Sequence, residues 1–223
     1  MNLWYFCSCK KNRMSIIKNL EWRYATKKFD ATKLLSNSQI NIFKKAFNLT
    51  ATSYGLQPVK MVVVHNKKIQ KELVEHSWNQ QQIAQASHVL VLCIQKDMSP
   101  EDIESYFSLV KKIRNTPDEI LNPFKEYLKN DMETKSEFDL HSWMTNQAYI
   151  ALGNLMTVAA SENIDSCPME GFIPEKYDAI LNLNKHNLKS VLVLPVGFRA
   201  EDDYMKDLKK VRKNTDEVII EIN

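Results

Sequence analysis

Apolar residues recur at helical spacing along much of this chain. "SIIKNLEWRY" from Ser15 reads as a short amphipathic helix. "SNSQINIFKKAFNLT" from Ser36 offers a capping serine, then Ile40, Phe43, Ala46 and Phe47 on one face. "NKKIQKELVEHS" predicts another helix. From Pro100 to about Met132 the pattern is helical and charged, with Pro117 and Pro123 as breaks, which predicts an outer helical excursion. From Ser142 to Ser161 no residue is charged. Ala148, Ala151, Leu152, Leu155 and Ala159 share one face there, and Ile150, Met156 and Val158 occupy the others. A helix apolar on nearly every side is buried on more than one of them. With Gly153 allowing close approach, it predicts the central helix of the fold or of a dimer. Thr145, Asn146, Gln147, Asn154 and Thr157 argue against a membrane span.

Five stretches are short and β-branched, as strands are. They are "VKMVVVHN" from Val59, "SHVLVLCIQ" from Ser87, "IDSCPM" from Ile164, "SVLVLPVGF" from Ser190 and the terminal "EVIIEI". Pro195 in the fourth predicts a bulge or a strand end. The chain has no repeat, no low-complexity tract and no linker rich in Gly, Ser or Pro. These elements predict a single mixed helix-and-strand domain over 14–223. Residues 1–13, "MNLWYFCSCKKNR", read as an extension outside the fold. Their apolar run precedes the basic residues, the reverse of a secretory signal.

Composition narrows the function. With 30 basic and 27 acidic residues the net charge is +3, too balanced for a nucleic-acid footprint. Cys7 and Cys9 lack a second Cys/His pair at zinc spacing, and the five histidines are scattered, so no metal site is expected. Cys93 lies in a strand-like run and reads as a small buried hydrophobe. The cysteine usage points to a reducing compartment, the cytoplasm. No Gly-x-Gly-x-x-Gly, Walker loop or Gly-x-Ser-x-Gly elbow occurs, which disfavours a Rossmann site, a P-loop and an α/β-hydrolase nucleophile.

Four segments draw attention. "RYATKKFD" (23–30) places Arg23 and Lys27 on one face if helical, or is a solvated helix end. "TSYGLQP" (52–58) carries hydroxyls on Thr52, Ser53 and Tyr54 with Gly55, or is a plain turn. "SCPMEGF" (166–172) sets Glu170 beside Gly171, one of only four glycines, or closes a strand. "KKVRK" (209–213) is a cation cluster or a solvated charge run. No segment decides the matter alone.

Together, "RYATKKFD", "SYGLQPVKMVVV", "SWNQQQIAQASHVLV", "NQAYIALGNLMTVAASENIDSCPMEGF", "VLPVGFR" and "KKVR" resemble the nitroreductase family, in order from about Ser15 to the C-terminus. The resemblance is greatest to the oxygen-insensitive NAD(P)H nitroreductases and dihydropteridine reductases. It implies an α+β fold with a mainly antiparallel five-stranded sheet flanked by helices, an intertwined homodimer, and one FMN at each of two interface sites. It implies Arg23, Tyr24 and Ala25 along the FMN phosphate and ribityl chain, Lys27 and Asn79 at the pyrimidine end, and Gln82 near the flavin. Pro168, Met169, Glu170 and Gly171 would lie along the N5 side, and Lys210 and Arg212 on the phosphate. Thr52, Ser53, Gly55 and Gln57 would come from the other subunit, and Lys27 and Tyr54 would face substrate. A side chain at 171 would obstruct the approach to N5, so glycine suits it. Ala25 and Gln82 stand where some members carry a hydroxyl residue and a lysine, and Val59 where an aromatic is frequent.

The implied activity is reduction of nitroaromatics, quinones, pterins or flavins by NADH or NADPH through flavin N5, in ping-pong order. No protein side chain is assigned as acid, base or nucleophile, because the hydride chemistry belongs to the cofactor. The alternative is an FMN-binding or storage protein without NAD(P)H turnover. Neither nucleic acid nor membrane is an expected partner.

Overall fold

The computed structural model describes residues 15–222, so the expectation for 1–13 lies outside the described residues. In chain order the regular elements are α1 (Ile16–Trp22), α2 (Asn37–Asn48), β1 (Val59–Val64), α3 (Lys67–Glu75), α4 (Gln82–Gln85), β2 (His88–Gln95), α5 (Pro100–Arg114) and α6 (Asp118–Thr134). They continue with α7 (Glu137–Ser161), β3 (Asp165–Ser166), α8 (Pro174–Ile180), β4 (Leu188–Gly197) and α9 (Thr215–Val218). The strands form one antiparallel sheet in the order β1-β2-β4-β3.

Alternation along β2 builds the core on both sides of the sheet. Leu90, Leu92 and Ile94 join Leu192 and Leu194 of β4 against α7 and α2. Val89, Val91 and Cys93 join Val193 against residues of α3, α4 and α8. A strand covered on both faces carries apolar residues at every position, which is why β2 reads as an unbroken apolar run. Cys93 is fully buried there, and burial pushes its thiol up to about 12.

Caps delimit the helices. Ser36 and Gln39 close a capping box on α2, and Ser99 with Asp102 closes another on α5, ahead of Pro100. Ser136 caps α7, which therefore starts before the uncharged stretch and runs 25 residues. Met144, Ala148, Ala151, Leu152, Leu155 and Ala159 are its buried side. Tyr149 (43% exposed) and Ile150 (50%) face outward, and a Cβ on Gly153 would meet nothing within 4 Å in this chain. The close approach expected at Gly153 is therefore absent within one subunit.

Three other expectations need correction. Pro123 does not break a helix; it sits inside α6, whose N-terminal cap is Pro117. Its missing N–H removes only a bond to the helix's first turn. Pro195 causes no bulge either: the register shift falls between Leu92 and Cys93 of β2, and the Pro195 carbonyl accepts the Cys167 N–H. The sheet has four strands, not five. The terminal "EVIIEI" makes the end of α9 and an extended tail, with Ile220 (90%) and Ile222 (94%) exposed. Its alternation is that of a strand, yet it pairs with none of the described strands, and no described strand covers the outer edge of β1.

Candidate functional site

The segment after α1 is held from beneath by a buried carboxylate. Asp203 is 1% exposed. Its Oδ2 accepts the Tyr24 hydroxyl (3.0 Å) and the Lys27 (2.9 Å) and Lys28 (3.1 Å) amides, and its Oδ1 accepts the Met205 amide (3.0 Å). Burial alone would raise this carboxyl; the hydrogen bonds overcome it and hold the group below its ordinary value. Arg199 ties the next layer. Its Nε donates to Asp165 (2.7 Å), and its guanidinium lies 4.2 Å from the Trp22 ring centroid and 4.5 Å from that of Tyr24. Ala25 bridges to Ser166 of β3. The Tyr24 hydroxyl and ring are thus committed to Asp203 and Arg199.

Above this clamp, cations gather without an anion. Lys210 Nζ donates to the Arg23 carbonyl. Burial, then neighbouring Arg212, lowers the Arg23 guanidinium from its ordinary value; burial, then Arg23 and Arg212, lowers Lys210. Arg23 Nε is buried without a hydrogen-bond partner among the described residues. None of Arg23, Lys27, Lys210 and Arg212 forms an ion pair with a described acidic residue within 4.0 Å. Three like charges crowded around an unsatisfied N–H suit a polyanion such as phosphate.

The loop after β3 adjoins this cluster. Burial raises the Cys167 thiol, and Lys27, Gln82 and Arg23 lie close enough to offset part of that rise. Gln82 is buried. Met169 exchanges both backbone hydrogen bonds with Val193 (2.8 and 3.0 Å), so the loop stays locked to the sheet. Gln80 Nε2 reaches the Gly171 carbonyl at 3.4 Å, and the Ile173 amide donates to the His76 carbonyl. Those contacts bring the 76–80 turn, with Asn79, against the 168–173 loop. Trp78 and Asn79 both take left-handed backbone (φ 54 and 58).

Within this chain, glycine at 171 leaves room for the Trp78 ring. A Cβ there would sit 2.7 Å from two indole carbons. Trp78 is otherwise 74% exposed, so its ring can swing. Gly171→Ala is expected to push the indole outward, raising acrylamide quenching of tryptophan emission at a cost of about 1 kcal/mol. Unchanged quenching would refute the contact.

Thr52, Ser53, Tyr54, Gly55 and Gln57 are placed elsewhere. Their loop enters β1, while the cation cluster lies beyond β3. Those strands are the opposite edges of the sheet, three strand spacings or roughly 14 Å apart. One chain therefore does not unite the two groups. The loop is strained and strongly held: Tyr54 (φ 58) and Gln57 (φ 50) are left-handed without being glycine, as is Gly55 (φ 75). Ser53 N–H donates to buried Gln147 at 2.8 Å, and Gln57 N–H to Thr52 Oγ1 at 3.1 Å. The Tyr54 ring packs between Phe124 of α6 and Trp143 of α7. Strain of this kind persists only where surrounding contacts over-determine it. Beside the loop, Phe47, Val59, Met61, Val63 and Lys44 line a groove of about 410 Å³ along β1 and α2.

Asp203, Trp78 and Gln147 were not legible as site residues. Asp203 sits in the unremarkable acidic run "EDDYMKD", and Gln147 is one of several polar residues in α7. Only Trp78, a large apolar residue in a polar stretch just before Asn79, gave any signal.

Comparisons with known proteins bear on the family and the fold. The profile of the Nitroreductase family matches residues 20–198. The Staphylococcus epidermidis protein named "Putative NAD(P)H nitroreductase SERP2086" is 33% identical over 213 residues, covering 92% of this chain and 96% of that protein. The Nitroreductase Family Protein of Streptococcus pneumoniae superposes with a TM-score of 0.79 at 23% identity, covering 93% of this chain and all of that one. A crystal structure from Exiguobacterium sibiricum, described as a "putative nitroreductase in complex with FMN", superposes with a TM-score of 0.80 at 15% identity, covering 94% of this chain and 98% of that one.

Proposed function

Since this chain belongs to the nitroreductase family, we propose that it is an FMN-dependent NAD(P)H oxidoreductase acting as a homodimer. The observation that carries the reading is the crowd of Arg23, Lys210 and Arg212, with an unsatisfied Arg23 Nε and no counter-ion among the described residues. A phosphate dianion on a flat, polar ring system fits what those residues and their neighbours offer.

FMN bound here supplies acceptance of a hydride from NADH or NADPH and its delivery to a second substrate. The protein's part is to hold and to shape. Arg23, Lys210 and Arg212 bind the phosphate. Lys27, Asn79 and Gln82 address the pyrimidine end, with Gln82 contributing an amide where a lysine would contribute charge. Pro168, Met169, Glu170 and Gly171 face the N5 side on a backbone kept rigid by the Met169–Val193 pairing. A twofold partner brings Thr52, Ser53, Gly55 and Gln57 to the same site, and Tyr54 and Lys27 border the space for substrate. Nitroaromatics, quinones, pterins and flavins are the acceptor classes, taken after the nicotinamide departs.

The dimer reading rests on matched unpartnered surfaces. β1 has an open edge with a mostly apolar groove beside it, and Val218, Ile219, Ile220 and Ile222 form an exposed apolar tail. A second copy's tail adds a strand to that edge. No described helix is long and apolar enough to cross a membrane.

The test is anaerobic titration of the purified, FMN-loaded protein with NADH and with NADPH. Loss of the flavin band at ~450 nm within seconds is expected. FMN uptake without bleaching by either nicotinamide would favour a flavin-binding protein instead.

A further inference from the structure

Glu170 is the one ionisable side chain of the Pro168–Phe172 run. The backbone around it is fixed on both sides. Met169 pairs with Val193, Phe172 N–H donates to the Glu170 carbonyl at 2.9 Å, and Gly171 lies under the Trp78 indole. The Glu170 side chain is exposed and has a single hydrogen bond: the Tyr149 hydroxyl donates to its Oε1 at 2.7 Å. Tyr149 comes from the outward face of α7, within the stretch from Ser142 to Ser161 that carries no charge. No described cation pairs with Glu170. Among the described residues this phenol is thus the carboxylate's sole polar tether.

We propose that Tyr149 is a positioning residue: by donating to Glu170 it fixes and partly offsets the one negative charge of the loop that faces the flavin, and so favours flavin reduction. The inference rests on the FMN reading above. A reduced flavin carries added negative charge, and a carboxylate nearby opposes it. A hydrogen bond from a neutral phenol spreads the carboxylate's charge and stops the side chain from wandering. The hydrogen bond to Glu170, then burial, raises the Tyr149 phenol, which keeps it protonated and donating across the working range of pH.

The test measures the two-electron midpoint potential of bound FMN by anaerobic dye equilibration. Three variants are compared with the wild type: Tyr149→Phe, Glu170→Gln and the double variant. Tyr149→Phe is expected to shift the reduction equilibrium about tenfold towards the oxidised form, a fall of roughly 30 mV. Glu170→Gln should move the potential upward, and adding Tyr149→Phe to it should change nothing more, because the charge to be offset is gone. A Tyr149→Phe protein with bound FMN and the wild-type potential overturns the proposal. So does a Tyr149→Phe shift that persists at full size with Gln at 170. Wild-type protein that takes up no FMN overturns the parent reading as well, and is recognised by the absence of flavin absorbance.

Discussion

Arg23→Ala is expected to purify without yellow colour and to bind added FMN 10 to 150 times more weakly than the wild type. A charge-assisted hydrogen bond is worth about 1.5–3 kcal/mol, which sets that range. The side chain is half-buried, its Nε has no hydrogen-bond partner among the described residues, and Arg212 and Lys210 press on it with like charge. In the unliganded protein it therefore contributes little stability or opposes folding. Its removal should leave the unfolding midpoint of the apoprotein unchanged or slightly higher. Flavin titration followed by fluorescence, beside denaturant unfolding of apoprotein, separates the two effects. A variant that keeps full FMN affinity would remove Arg23 from the phosphate site, and one that loses affinity only because it unfolds would make Arg23 structural.

Asp203→Ala is expected to destabilise the fold by about 4 kcal/mol, because it strands donors that its carboxylate now satisfies. The Tyr24 hydroxyl and the amides of Lys27, Lys28 and Met205 all lose their acceptor. Asp203→Asn should cost about half as much, since one carbonyl oxygen remains to accept. The native carboxyl is held below its ordinary value, so its contribution is complete above the unfolded value of about 3.9 and is lost as pH falls through the native one. Asp203→Asn should therefore flatten the acid side of the stability–pH curve relative to wild type. Denaturant unfolding at several pH values checks both statements. A wild-type acid limb that survives in Asp203→Asn would assign the dependence to other carboxylates. Because the same carboxylate anchors the 24–28 segment, both variants should also loosen FMN.

The sheet was readable because its physics is local. β2 and β4 are apolar at nearly every position, and burial on both faces permits nothing else. The capping serine Ser36 gave the start of α2, whereas the capping box of Ser99 and Asp102 on α5 went unread. What stayed hidden depends on distant contacts. The spacing in "RYATKKFD" suggested Arg23 and Lys27 on one helical face, yet α1 ends at Trp22, and an aspartate about 180 residues later in sequence shapes the segment. The terminal "EVIIEI" has the alternation of a strand but no mate among the described residues. Likewise, the cations around Arg23 and the Thr52–Gln57 loop were grouped only through the family resemblance. In one subunit they occupy opposite sheet edges, and periodicity carries no information about a twofold axis.

Were a second copy to cover the bare margin of β1, this polypeptide's heat tolerance would become a function of how much of it is present. If two copies close each other's sheets, dilution strips that closure away, and the melting temperature should fall as total protein is lowered. An uncapped β margin is also a template for the wrong neighbour. Freshly made chains that have not met a twin would then be the vulnerable species, prone to clumping before any loss of secondary structure.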